Sequence, residues 1–242
     1  MSPSIALPVS TESAITTNPI SVLESGDRLT RTEFERRYAA LPQIKKAELV
    51  EGVVFVASPV RFREHAFPDA QLMVCLGVYC AGTPGLVEGH NATVRLDLDN
   101  VFQPDALLMI EPQFGGQSHV DRDGYVAGAP EFVVEIAASS ASLDLNAKLS
   151  VYRRNQVREY LVWRTIDRQF DWFTLQGSEF VRLAPDAAGI FRSALFPGLW
   201  IDSAALLRGD LAGALNCLRD GLATAEHAEF VARLRAAGST GS

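Results

Sequence analysis

Asp105 follows Pro104 at the head of the apolar run QPDALLMI, and Glu135 lies thirty positions later inside a second one, PEFVVEIA. Lys148 comes next, in LDLNAKLSVYRR. Taking a carboxylate from water into a core is costly unless something pairs it. A divalent cation shared by two such acids is one sufficient partner. Two acids on buried strands beside one lysine are what metal-assisted phosphodiester hydrolysis needs. Asp105 and Glu135 would hold Mg²⁺, with Mn²⁺ as a substitute, through oxygen, leaving waters and a phosphate oxygen in the other positions. Lys148 would orient the attacking water or offset charge building on the phosphate. Without the ion, one of two neighbouring acids should take up a proton. The bland readings are a strand-entry turn for Asp105 and an ordinary helix lysine for Lys148. Glu135 is the strongest of the three, because Val133, Val134 and Ile136 surround it.

Those residues need elements to position them. EFVVEIA is a short continuous apolar run, as in a central strand buried on both faces. SASLDLNAKLSVYRRNQV reads as a helix, which makes Lys148 and Tyr152 neighbours at i, i+4. VFQPDALLMI reads as one strand entered through Pro104. In LVEGHNATVRLDLDN, Val94, Leu96 and Leu98 share a face. AELVEGVVFVAS is a bent strand or a hairpin around Glu51-Gly52. RTEFERRYAAL is a short helix capped by Thr30 or Thr32. A longer helix covers about 61 to 81, starting near or after Pro68. Residues 111–130 are a Gly-rich loop, a length that in compact domains is often functional. REYLVWRT, RQFDWFTL and EFVRLAP are successive strands, and helices close the chain. Together these give an α/β protein, a mixed β-sheet flanked by helices. The division expected is a flexible tail over 1–26, one domain over 27–202 and a C-terminal helical extension over 203–242.

The chain of 242 residues is 48% hydrophobic and 21% charged, enough apolar material for a sizeable core. No apolar run approaches the roughly 18 residues of a membrane helix. Nothing basic precedes IALPV at the start, which argues against a secretory signal. Cys75, Cys80 and Cys217 lack CxxC spacing and read as reduced core thiols of a cytoplasmic protein. Net charge is −7, which argues against a protein that coats nucleic acid non-specifically. Between Lys148 and Arg168, however, six basic side chains face two acids. Arg153, Arg154 and Arg158 are the candidates there for phosphate contacts, against the plainer reading of a solvated face.

Other motifs fail on inspection. DLDN at 97–100 begins like a calcium loop, but Phe102 stands where the glycine belongs and Leu108 where the glutamate belongs. The four histidines are scattered, so zinc is disfavoured. Neither GxSxG nor GxxxxGK[ST] occurs. Trp163, Phe170, Trp172 and Phe173 have strand spacing and read as core.

At AELVEGVV, SPVRFREH, RLDLDNVFQPDALL, PEFVVEIAASS and DLNAKLSVYRRNQVREYLVW the chain resembles the PD-(D/E)xK nuclease superfamily. More closely, it is similar to a bacterial family described as putative restriction endonucleases, over roughly residues 30 to 200. The resemblance implies a restriction-endonuclease-like core, with Asp105 and Glu135 as metal ligands and DNA as partner. The superfamily's lysine usually sits two positions after the second acid, where this chain has Ala137. In the family it is displaced onto the next helix, a place Lys148 matches. Glu48 matches the acid of an early Glu-Leu motif that adds a ligand or orients a water, and His65 a frequent histidine at the first long helix. Ala138-Ser139 replaces the family's common Ser-Pro.

The leading expectation is therefore a Mg²⁺-dependent endonuclease acting on DNA. A homodimer would suit it, since two sites related by a two-fold axis cut both strands most simply. Its rival is a catalytically inactive or regulatory binding module that keeps the nuclease fold. A small-phosphoester hydrolase is a third class, distinguished by a closed pocket. The first two part on whether Asp105, Glu135 and Lys148 converge in one cleft.

Overall fold

The computed structural model describes residues 21–239. Most of the expected tail lies outside them, but its last residues are packed. Leu23 is buried with Phe34 and Leu49, and the Gly26 amide donates to the Val54 carbonyl at 2.8 Å.

Helix α1 (Arg31–Ala39) is capped by Thr30, whose hydroxyl accepts from the Glu33 amide. Strands β1 (Ala47–Val50) and β2 (Val53–Val56) form a hairpin. Glu51 and Gly52 turn it with φ of 53° and 71°, the doubly positive pair of a two-residue hairpin turn. The chain then makes one π-helical turn (Phe62–Ala66) into helix α2 (Phe67–Gly82), with Pro68 in its first turn, where a missing amide costs nothing.

Four strands follow: β3 (Leu86–His90), β4 (Val94–Asp97), β5 (Asn100–Phe102) and β6 (Ala106–Ile110). VFQPDALLMI is thus two strands rather than one. The break at Gln103-Pro104-Asp105 is where the chain leaves one sheet for another, a step suited to a residue without an amide donor. Leu98 lies in the β4–β5 turn and is exposed, not on the face of Val94. The 111–130 stretch holds a 3₁₀-helical turn (Pro112–Phe114) and two short strands, β7 (His119–Val120) and β8 (Val126–Ala127). Buried Glu131 pins its start by accepting from the Ile110 and Gln117 amides.

Strand β9 (Phe132–Ala137) leads through helix α3 (Ala141–Leu143), a π-helical turn (Asp144–Lys148) and helix α4 (Leu149–Arg154) to β10 (Glu159–Arg164). Strands β11 (Gln169–Gln176) and β12 (Glu179–Leu183) extend the sheet by antiparallel pairing. A small hairpin, β13 (Ile190–Arg192) and β14 (Trp200–Asp202), precedes α5 (Ser203–Arg208), α6 (Leu211–Leu222) and α7 (Ala225–Ser239).

The central sheet runs β12-β11-β10-β9-β6-β3, with β9 and β10 parallel. A second six-stranded sheet runs β2-β1-β5-β4-β8-β7. Side chains alternate across β9. Phe132, Val134 and Ile136 join the core formed with α2 and the C-terminal helices, which includes Leu76, Leu218 and Leu234. Val133 and Ala137 face the opposite core with Val151, Tyr152 and Tyr160. Glu135 has the parity of this second face. The C-terminal helices share the main core, so they pack as part of the domain rather than beside it. Trp163 stacks on Phe170 at 4.6 Å between centroids, and Trp172 is fully buried.

Candidate active site

Asp105 and Glu135 meet because of register. Ala106 pairs with Val134 across β6 and β9, which brings Asp105 alongside the middle of β9. The Ile136 amide donates to Asp105 Oδ2 at 2.8 Å, and Lys46 Nζ lies 2.8 Å from Oδ1. His65 Nε2 stands 3.3 Å from Oδ2. Burial opposes ionisation of Asp105, but His65 and Lys46 outweigh it and hold the carboxyl well below its usual range.

Glu135 has the opposite environment. Its Oε1 accepts from Lys148 Nζ at 2.9 Å and from the Tyr152 hydroxyl at 3.0 Å. Burial, together with nearby Asp144, Glu48 and Asp105, pushes its pKa up to about 8 against the pull of Lys148. Lys148 is 3% exposed and also lies 2.7 Å from Glu48 Oε2 and 3.6 Å from Asp144 Oδ1. Burial works against its charge, yet these three acids raise its pKa well above the ordinary value. Glu48, on β1, accepts the Gln103 amide at 2.7 Å through its other oxygen. Neither Asp144 oxygen has a donor in hydrogen-bond geometry, although Ser140 stands close enough to lower its pKa; burial wins and raises it.

Asp105, Glu135, Lys148, Glu48 and His65 line one cavity of about 480 Å³, and Tyr152 closes on Glu135 from behind. Every catalytic, metal and accessory candidate named from the sequence is therefore at this site. The arginines are not. Arg153 is held by Glu179 and the Ser178 carbonyl, Arg154 by Glu51 and Asp97, and Arg158 is exposed away from the cavity. Of the basic run from 148 to 168, Lys148, Arg153, Arg154 and Arg164 are in ion pairs, while Arg158 and Arg168 have none among the described residues. Arg61 and Lys46 are the cavity's unforeseen cations, and Asp144 and Glu64 its unforeseen acids. Asp144 lies at i−4 from Lys148, a spacing that could have found it. Lys46 had no such signal: it sits two residues before Glu48 on the lead-in to β1.

Four buried acids here face two lysines, an excess of negative charge. Carboxylate oxygens are the donors Mg²⁺ takes, one or two at a time, with waters completing its shell. Glu135 Oε2 accepts no hydrogen bond from any described residue, and Asp105 Oδ1 holds only Lys46. The donor set fits such an ion. Among the described residues no three His, Cys, Asp or Glu side chains already stand in a metal-binding cluster.

The Uma2 family, described as putative restriction endonucleases, matches residues 31–205. The chain belongs to this family. Among solved structures, a putative nuclease of the DUF820 group from Anabaena variabilis is similar, with a TM-score of 0.53 at 13% identity. The likeness covers 72% of this chain and 97% of that one, and it shows that the Uma2 chain has that fold. No curated protein matches the chain. Among the described residues, no helix is long and apolar enough to cross a membrane.

Proposed function

We propose that the chain is a Mg²⁺-dependent endonuclease that hydrolyses DNA phosphodiester bonds. The observation that carries this reading is the convergence of Asp105, Glu135, Glu48 and Lys148 on one cavity. Asp105, Glu135 and Glu48 would hold the ion. When bound, Mg²⁺ supplies Lewis acidity and offsets charge on the phosphate. The chain's own part is to keep Asp105 ionised through Lys46, His65 and the Ile136 amide. Lys148 holds Glu48 and Glu135 in a fixed spacing and adds positive charge at the floor of the cavity. Tyr152 fixes the Glu135 rotamer from the apolar side.

Cleavage of a circular single-stranded DNA and of a supercoiled plasmid in Mg²⁺, with Asp105→Asn and Glu135→Gln beside the wild type, tests it. Loss of nicking in both, with loss of Mg²⁺ binding by calorimetry, is expected; retained nicking in Asp105→Asn sinks the assignment. A second reading, a regulatory module without catalysis, is favoured by one observation: the Lys46 ammonium already satisfies Asp105. Mg²⁺ binding without nicking of any DNA form would select it.

A further inference from the structure

We propose that this site takes its DNA as an unpaired strand, and that the exposed rim Val60-Arg61-Phe62-Arg63 is the platform on which the strand lies. The inference rests on the hydrolytic reading above and names the substrate form for it.

Val60, Phe62 and Ile166 are each 64% exposed. Val60 and Ile166 line the cavity that holds Asp105 and Glu135, as does Arg61. Arg63, the next basic residue, lines a neighbouring cavity of about 250 Å³ together with Arg168 and Arg208. The two cavities flank a single bridge, the Thr165 hydroxyl donating to the Glu64 carbonyl at 2.6 Å. Glu64 and Ile166 belong to the first cavity, Arg63 and Thr165 to the second. Along the chain Phe62 stands between Arg61, which lines the first cavity, and Arg63, which lines the second. Its ring is 6.0 Å from that of Phe67, and the Arg63 guanidinium lies 5.6 Å from the Phe62 centroid. That contact braces the ring while leaving most of it open to solvent.

Charge argues for a single strand over a duplex. A duplex is bound largely by neutralising many phosphates over a broad surface. This chain carries −7, and Arg153, Arg154 and Arg164 are held by Glu179, Glu51, Asp97, Asp167 and Asp171, which leaves Arg158 and Arg168 as the basic side chains of the 148–168 run without a carboxylate partner among the described residues. Arg61 and Arg63 have no carboxylate partner among the described residues, and Arg168 donates only to the Leu207 carbonyl. A few free guanidinium groups alternating with an open aromatic ring are the elements of single-strand recognition, where bases stack on side chains and cations follow the backbone. Depth points the same way. Asp105 and Glu135 are each 3% exposed, so the scissile phosphate must enter the cavity, which a flexible strand does more readily than a stacked helix.

The test is fluorescence anisotropy in Ca²⁺ with the full chain, using a labelled strand of about 12 thymidines and a blunt duplex of equal length. The single strand should bind at least about tenfold more tightly, and Phe62→Ala should weaken it by about 5- to 150-fold while leaving duplex binding alone. Phe62→Trp should retain affinity, which separates stacking from a disturbed fold. Arg61→Ala and Arg63→Ala should each flatten the logarithmic salt dependence by about 0.7. Equal affinity for strand and duplex, an unchanged Phe62→Ala, or no binding of either DNA overturns the proposal. Nicking of a circular single-stranded DNA keeps the two readings apart. Normal nicking and binding by Phe62→Ala would defeat the platform and leave hydrolysis standing. Nicking by Asp105→Asn, with strand binding still governed by Phe62, would do the reverse.

Discussion

Replacing Lys148 with methionine is the sharpest structural test of the site. The ammonium is buried within 3.6 Å of three carboxylates, Glu48, Glu135 and Asp144, and 5.4 Å from the Phe102 ring centroid. Methionine fills most of the stem's volume, so the loss is chiefly electrostatic. Removing one partner of a buried charge pair costs about 3–5 kcal/mol, because the other is left uncompensated. For a domain of this size that is a fall in melting temperature of about 6–20 °C. The effect should depend on pH. Glu135 has a folded pKa of about 8 against 4.5 for the free group, so the folded state binds the extra proton. Stability from that group is full below 4.5 and is lost as pH rises toward 8. Lys148 is what lowers the Glu135 pKa, so its removal widens that window and deepens the loss at alkaline pH. Urea denaturation at about pH 5 and about pH 8 should show the variant's deficit growing between the two. A deficit below about 1 kcal/mol, or one flat with pH, would refute the account of Lys148 as the counter-charge of this cavity.

Lys46→Met should raise Mg²⁺ affinity about tenfold by calorimetry, since it frees Asp105 Oδ1 from a charge-assisted bond; equal or weaker binding contradicts that competition. Gly221→Ala should cost about 1–3 kcal/mol by thermal denaturation, with Mg²⁺ binding unchanged. A Cβ there would lie 2.3 Å from the Gly198 carbonyl oxygen, at the seam that ties α6 to the β13–β14 hairpin, and a neutral result would mean that the seam opens freely.

The sequence exposed the site through its most costly residue. An acid inside FVVEI is costly to bury without a partner, and the alternation of β9 turns it toward the Tyr152 face without further information. The i, i+4 spacing of Lys148 and Tyr152 survived the π-helical turn because both still reach Glu135. What sequence could not supply was pairing between distant segments. Arg153 and Arg154 read as free cations because their acids, Glu51, Asp97 and Glu179, come from other hairpins. Lys46 was invisible for the same reason: its partner Asp105 is 59 positions away. The break of VFQPDALLMI into two strands belongs to this class as well. Pro104 marked an edge, but only the packing of two sheets decides that the chain changes sheet there.

The two acids differ in how the protein treats their charge, and the difference can be measured without any ion. Asp105 has a backbone amide and two basic side chains against its oxygens, so the folded chain favours its anion. Its contribution to stability is present above the free value of 3.8 and is lost only as pH falls below that. Glu135 is disfavoured as an anion and at neutral pH is better matched by a neutral group. The same chemical change should therefore have unequal effects. Asp105→Asn removes the acceptor charge for Lys46 and His65 and should cost about 1–3 kcal/mol near pH 7. Glu135→Gln resembles the protonated acid, leaves Lys148 its bond to Glu48, and should cost less than about 1 kcal/mol. Urea denaturation in a chelator, at near-neutral pH, compares them directly. Equal losses would mean that the site holds both acids alike, and the case for Glu135 as the position waiting for a cation would fall with it.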